Sequence, residues 1–194
     1  MGHSTWVWAL FIFFISATAI ATPLKREAIS WYDEQGNERK LYKDDYHISL
    51  FHSERKIHVE EERVQKLTTL FKKSILVNES PRVSIYKLDR PLYDENIVKH
   101  SSPLFAASES GAPEIVLMGG VLVVFRDNIT KDQIESFLNN KKLQLIRTIH
   151  YSQKTVYYMK SEPGMESLFL ANELMQSDLV KSAVPSFGQV HILR

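Results

Sequence analysis

Apolar and polar positions in the second half of the chain follow the periods of a strand, a helix, two strands, a helix and a strand in turn. The elements expected from this pattern are a strand at 115–126, a helix from 130 to 140, strands at 143–150 and 155–160, a helix around 168–175 and a strand at 179–184. Gly119-Gly120 stands where a bulge would bend the first strand. The order is that of a split βαβ, or ferredoxin-like, unit. We therefore predict an α+β fold in which two helices cover one face of a four-stranded antiparallel sheet, a βαββαβ sandwich.

The first of these helices carries a start signal in its sequence. Thr130 and Gln133 have the spacing of a capping box, and Ile129 and Ile134 occupy the positions of a hydrophobic staple. The pattern predicts a helix that begins after Thr130 and ends near Asn140.

The first half of the chain shows the same order of elements in a weaker form. The expected elements are a hairpin around Gly36, a strand at 46–52, a helix at 64–71, strands at 74–78 and 82–88, and a last strand near 97–105. Val83–Lys87 matches Val156–Lys160, 73 positions later, and Ile97–Phe105 matches Leu179–Phe187, 82 positions later. The matches predict an internal repeat, with chance similarity between two strand-rich segments as the alternative.

The repeat implies a division of the chain. Because Asp89–Asn96 is too short for a second long helix, the first copy is predicted to be degraded and to occupy residues 28–106. The small, Gly- and Pro-bearing stretch at 107–113 would be the linker, the complete unit would occupy 114–187, and an extended C-terminal tail would follow at 188–194.

The N-terminus has the composition of a targeting segment. Trp6–Ile20 is an apolar run, and Ala19-Ile20-Ala21 matches the small-residue pattern of a signal-peptide cleavage site. We predict a signal peptide at 1–21, cleaved near Ala21/Thr22, and a secreted or periplasmic protein that is free of the membrane after cleavage. A retained membrane anchor is the alternative, but the run is shorter than the roughly 20 residues that a spanning helix needs.

Charge and composition exclude several classes of partner and site. A formal net charge of +1 argues against nucleic acid or an anionic membrane as the main partner. Tyr151, Tyr157 and Tyr158 could form a stacking platform for single-stranded nucleic acid, but packing on a sheet face is the preferred interpretation. The absence of cysteine excludes disulfides, thiolate zinc sites and a cysteine nucleophile.

No catalytic motif is present in the sequence. It has no nucleophile elbow, no H-E-x-x-H zinc signature and no glycine-rich phosphate loop. The closest group of histidines, His47, His52 and His58, has spacings that do not share a helical face, and no acidic residue completes a ligand set. We predict a protein that is not an enzyme and that has no catalytic residues, no metal and no cofactor.

A family resemblance is carried by the segments Val121–Arg126, Ile129–Ile134, Val156–Met159, Ala171–Leu174 and Ala183–Phe187. The last two match a helix and a final strand of the form A-N-x-L and A-x-P-x-F. Together these segments resemble the N-terminal prodomain of secreted subtilisin-like serine proteases, in particular the fervidolysin-like type. The Trp31-Tyr32 hairpin and Ser102–Phe105 look like the region that precedes this unit in those proteins, so the resemblance covers most of the chain after the signal peptide.

The resemblance implies a mode of binding. In these proteases the sheet of the prodomain packs on two surface helices of the enzyme, and its extended C-terminal tail lies along the substrate cleft. Here the tail would be Gly188–Arg194, which could add to the cleft edge as a strand. The protease-binding residues would be Val190, His191, Ile192, Leu193 and Arg194. A frayed terminus without a partner is the alternative.

The function expected from this resemblance is binding to a protease. No segment of the chain resembles the catalytic domain of these enzymes. We therefore expect a stand-alone, prodomain-like protein that binds and inhibits, or assists the folding of, a subtilisin-like serine protease through its sheet face and its tail. The alternatives are a secreted protein-binding module and a truncated remnant of such a protease with no inhibitory activity.

Overall fold

The computed structural model describes residues 25–52, 64–69, 71, 74–92, 100–152, 154–190 and 192. Within them the chain has an α+β fold, in which nine strands form one sheet and three helices are present. The strands are β1 Ala28–Tyr32, β2 Glu38–Phe51, β3 Ile75–Glu79, β4 Val83–Lys87, β5 Ser101–Ala106, β6 Ile115–Phe125, β7 Leu145–His150, β8 Thr155–Met159 and β9 Val180–Gln189. The helices are α1 at 64–69, α2 Lys131–Asn140 and α3 Met165–Met175.

Some sequence predictions lie outside the described residues. Among them are the signal peptide at 1–21, the parts of the first copy at 53–63 and 93–99, which include His58, and residue 70 of the predicted helix at 64–71. Among the helices that the structure describes, none has the length and apolar character needed to cross a membrane.

Every strand pairing in the sheet is antiparallel. The order is β3-β4-β2-β5-β6-β8-β7, while β1 pairs with β2 and β9 pairs with β6. The first and second halves of the chain meet where β5 pairs with β6, because Leu104 lies opposite Val116 and Phe105 lies opposite Ile115. The strands of both halves therefore belong to one continuous sheet.

The three helices lie on the same face of this sheet. Val121 and Val123 of β6 are fully buried in a cluster with residues of α2 and α3. Leu67 of α1 packs with Ile48 of β2, and Leu168 of α3 packs with a further group of strand residues around Phe105. We call this side the helical face. Burial of aliphatic side chains there is the main stabilising contribution to the fold.

The start signal of α2 is confirmed. The Thr130 side chain accepts a hydrogen bond from the backbone N–H of Gln133, and the backbone N–H of Thr130 donates to the Gln133 side chain at 2.9 Å. Ile134 is buried, and Ile129 packs against the same cluster. The helix ends at Asn140 as expected.

β2 differs from the prediction of two separate strands, since it runs without interruption through the polar stretch between them. A bulge begins at Asp44, whose carboxylate is paired with the Arg26 guanidinium at 3.1 Å and with Nδ1 of His47 at 2.8 Å. Buried polar groups of this kind are tolerated because they have hydrogen-bond partners. The polar sequence was therefore wrongly interpreted as a break in the strand.

β9 is longer than the predicted strand at 179–184 because it continues through Pro185 to Gln189. Pro185 lies opposite Val121, next to the irregular register that follows Leu117 in β6. A proline lacks the N–H that a regular ladder needs, and a bulge is one of the places where a strand accepts it. Gly188 and Gln189, assigned to the tail from the sequence, are thus part of the sheet.

Candidate protein-binding surface

One face of the sheet in the second half of the chain is not covered by any described helix. Because side chains alternate along a strand, Leu122 and Val124 of β6 point away from α2 and α3, whereas their neighbours are buried against those helices. Val184 of β9 and Val156 of β8 lie on the same side. We call the surface formed by these side chains and by Ile149, Tyr158 and Ser182 the open face.

A groove of about 270 Å³ lies on the open face. Its floor is apolar, and it is lined by Glu34, Leu122, Val124, Ile149, Tyr151, Lys154, Val156, Ser182 and Val184. Lys154 Nζ donates to Glu34 Oε2 at 2.7 Å, so an ion pair joins the β1–β2 hairpin to the turn between β7 and β8 at the rim. Tyr151, at the same rim, is 59% exposed. An apolar floor with a polar rim is the composition expected of a protein-binding surface.

The predicted bulge at Gly119-Gly120 shapes one edge of the open face and is confirmed by the register shift between Leu117 and Val121. Gly120 has φ of 77°, and a Cβ at this position would lie 2.4 Å from Cε2 of Tyr158. The Tyr158 ring therefore lies directly against the Gly120 backbone. Its hydroxyl donates to the Gly119 carbonyl at 3.1 Å, and the Arg147 guanidinium lies 5.5 Å from the ring centroid.

The described part of the predicted tail packs on the chain itself. Val190 and Ile192 are partly buried against a cluster that Val83, Ile85, Leu104 and Val116 form on the side of the sheet opposite the helices. The backbone N–H of Val190 also donates to the Glu114 carbonyl at 2.8 Å. The other predicted binding residues of the tail, His191, Leu193 and Arg194, lie outside the described residues.

The histidines near the start of the chain have structural partners. His47 pairs with Asp44, and Nε2 of His52 lies 2.8 Å from the Ser84 hydroxyl. Burial opposes ionisation of Asp44, but the interactions with His47, the backbone N–H of Tyr46 and the Arg26 guanidinium together outweigh it and lower the pKa of the carboxyl. Among the described residues, no group of three or more histidine, aspartate or glutamate side chains is arranged to hold a metal ion.

The hairpin that carries Glu34 to the groove is held by Asp33. Its carboxylate accepts hydrogen bonds from the backbone N–H groups of Gln35 and Asn37, and from Nε of Arg39 at 2.8 Å. Burial opposes ionisation of Asp33, but these hydrogen bonds outweigh it and lower its pKa to about 2. The carboxylate is therefore ionised at neutral pH, as its hydrogen bonds to the tip of the hairpin require.

The residues of the open face were not recognised as a site from the sequence. Leu122 and Val124 belong to an unbroken apolar run, in which both faces of the strand have the composition of a core. Glu34 and Lys154 are separated by 120 positions, so only the fold brings them together. The signal that was present is that run itself, because a strand of an antiparallel sheet with one solvated face is expected to alternate between apolar and polar residues.

Comparison of the chain with protein-family models, with curated proteins and with solved structures finds no significant match.

Proposed function

We propose that the chain is a secreted, non-catalytic protein that binds a subtilisin-like serine protease and inhibits it or assists its folding. The observation that carries this proposal is the open face, an apolar sheet surface with a groove and no covering element among the described residues. Leu122, Val124 and Val184 are partly exposed there. Apolar surface of this kind, when it is rimmed by polar groups, marks interaction sites in proteins. The protease is chosen as the partner because of the prodomain-like segments of the sequence.

We further propose that the second half of the chain is a ferredoxin-like unit. Support comes from the order β9-β6-β8-β7, in which the first strand of the unit lies between the last and the third. Both helices of this half pack on one face of those four strands. This is the arrangement that a split βαβ unit requires.

The proposal includes a duplication, which is supported by the registers of the strands. Ile48 of β2 lies opposite Tyr86 of β4. The positions 73 residues later in the chain are Val121 of β6 and Met159 of β8, and these two lie opposite each other as well. In both halves the first strand is also paired with the last, β2 with β5 and β6 with β9.

Irregularities of the sheet recur at matching places in the two halves. The pairing of β3 with β4 has a register shift between Leu76 and Asn78 of β3. The pairing of β7 with β8 has a register shift between Leu145 and Arg147 of β7. Two independent sequences have little reason to share such a bulge, because bulges are specific local features of a family. Their coincidence favours duplication over chance similarity.

A second candidate function is a secreted protein-binding module, or a protease remnant, without inhibitory activity. It is favoured by the packing of Val190 and Ile192 on the chain's own sheet, because a tail held there is not available to a substrate cleft. The two candidates differ in what the tail does, and both use the open face.

An inhibition assay separates the two candidates. The full chain is incubated with a panel of subtilisin-like proteases, and hydrolysis of a chromogenic peptide is followed. We expect concentration-dependent inhibition of at least one protease, and loss of inhibition for a chain that ends at Gln189, the last residue of β9. Binding without inhibition would favour the second candidate, and absence of both binding and inhibition would contradict the proposed function.

A further inference from the structure

We propose that the open face binds an extended peptide segment with aliphatic side chains at alternate positions. The chain itself shows this mode of packing on the other half of its sheet, where Val190 and Ile192 cover an apolar cluster. The inference rests on the duplication proposed above, but it goes beyond the proposed function because it needs no protease.

The strand pairings relate residues of the first half of the chain to residues of the second half. With the offset of 73 positions that the strand registers share, Val83 and Ile85 of β4 correspond to Val156 and Tyr158 of β8. Val83 and Ile85 are buried on the side of the sheet opposite the helices. Val156 and Tyr158 lie on that same side in the second half, on the open face. The two surfaces are therefore equivalent places of the repeated unit.

A C-terminal segment of the chain occupies the first of these surfaces. It continues directly from β9, and the N–H of Val190 still donates to the Glu114 carbonyl one position beyond the strand. Its contacts with the cluster come from residues 190 and 192, two alternate positions of the chain. The occupant of the first surface is thus a segment that leaves the end of a strand and presents two aliphatic side chains at alternate positions.

The open face has the size and the polarity to take the same kind of segment. The groove of about 270 Å³ is smaller than the sites that take drug-sized ligands, but it has room for a few aliphatic side chains. Its floor of Leu122, Val124 and Val184 carries no charge, so charged side chains would be desolvated there without a partner. Glu34 and Lys154 pair with each other, so neither side chain presents an unpaired charge at the rim.

The test uses a synthetic peptide with the sequence of residues 186–194, SFGQVHILR, titrated into the isotope-labelled full chain. Backbone amide chemical shifts are followed by NMR at Leu122, Val124 and Val184 on the open face. They are also followed at Val83 and Ile85, in the cluster that Val190 and Ile192 cover. We expect saturable shifts at the open face. A control peptide with aspartate in place of the valine and isoleucine should cause none.

Matched variants of the chain test the location. Val124→Asp should weaken peptide binding by roughly tenfold or more, because it places a charge on the apolar floor. Ile75→Asp changes an aliphatic side chain that is 60% exposed on β3, at the other end of the sheet, and should leave binding unchanged. Tyr151→Ser, at the exposed rim, provides a second variant that does not alter the core and should weaken binding several-fold.

Three results would overturn the inference. They are the absence of saturable shifts at the open face up to millimolar peptide, shifts confined to Val83 and Ile85, and equal binding of the control peptide. No protease is present in the titration, so a negative titration does not contradict protease inhibition. In the same way, a negative inhibition assay does not contradict peptide binding at the open face.

Discussion

Replacement of Gly120 by alanine tests how the bulge of β6 and the Tyr158 ring depend on each other. The residue has φ of 77°, a backbone conformation that costs an L-residue about 1–2 kcal/mol. The added Cβ would also lie 2.4–2.6 Å from Cε2, Cζ and Oη of Tyr158, so the ring must move. Moving it breaks the 3.1 Å hydrogen bond from Tyr158 to the Gly119 carbonyl, which is worth about 0.5–1.5 kcal/mol.

The expected loss of unfolding free energy for Gly120→Ala is therefore about 2–3 kcal/mol. Gly36→Ala is the matched control, since Gly36 has φ of 81° and no atom within 4 Å of the added Cβ. Gly36→Ala should lower the unfolding free energy only by the cost of the left-handed backbone conformation, about 1–2 kcal/mol. In urea unfolding with m of about 2 kcal/mol per molar, the midpoint should fall by about 1–1.5 M for Gly120→Ala and by about 0.5–1 M for the control.

A double-mutant cycle isolates the contact with the ring. In a Tyr158→Ala background the ring is absent, so Gly120→Ala should cost about 1 kcal/mol less than in the wild-type chain. If Gly120→Ala costs no more than Gly36→Ala, the contact between the added Cβ and the Tyr158 ring does not destabilise the fold. The same conclusion follows if removal of the Tyr158 ring leaves the cost of the glycine substitution unchanged.

Three further changes have outcomes that the structure fixes. Thr130→Ala removes the N-cap of α2 and should lower the unfolding free energy by about 1 kcal/mol, measured by urea unfolding. Leu168→Ala opens a cavity at a fully buried position of α3 and should lower the unfolding free energy by about 2–5 kcal/mol. Phe169 is next to it and 59% exposed, so Phe169→Ala should lower the unfolding free energy by less than about 0.5 kcal/mol. Because Asp33 has a folded-state pKa of about 2, against an ordinary value of 3.8, its ionised form stabilises the fold above pH 4, and this contribution is lost as pH falls from about 4 to 2. Wild type should therefore lose more unfolding free energy over that range than Asp33→Asn, measured by urea unfolding at several pH values.

Each of these expectations has a clear contrary result. Equal stability of the wild-type chain and Thr130→Ala would mean that the capping box does not support α2. Equal costs for Leu168→Ala and Phe169→Ala would contradict the burial assigned to α3. If wild type and Asp33→Asn showed the same pH dependence between 4 and 2, the hydrogen bonds around Asp33 would not be holding its charge.

The sequence was most informative where a local interaction determines the structure. The spacing of Thr130 and Gln133 predicted the start of α2, because a capping box needs only four consecutive residues. The α+β class and the order of elements followed from hydrophobic periodicity in the same way. The continuity of β2 could not be predicted, because Asp44 is accommodated by Arg26 and His47, and the pairing with Arg26 depends on the packed fold.

The candidate site was harder to predict than the fold. Both sides of β6 are apolar in sequence, so its periodicity does not tell which side the helices cover. Similarly, the terminal residues have the composition of a free binding segment, yet Val190 and Ile192 pack against a cluster drawn from three strands of the sheet. Both features depend on contacts between residues that are far apart in the chain, and a pattern of neighbours carries no information about such contacts.

The measurement that tests the proposed function most directly is the dissociation constant of the full chain for each subtilisin-like protease of the panel. It is determined by calorimetry for wild type, Val124→Asp and Ile75→Asp. If the open face is the binding surface, Val124→Asp should weaken binding by about tenfold or more. Ile75→Asp, at the opposite end of the sheet, should bind as wild type does. Equal affinity of all three chains, or no measurable affinity for any protease of the panel, would contradict the proposal.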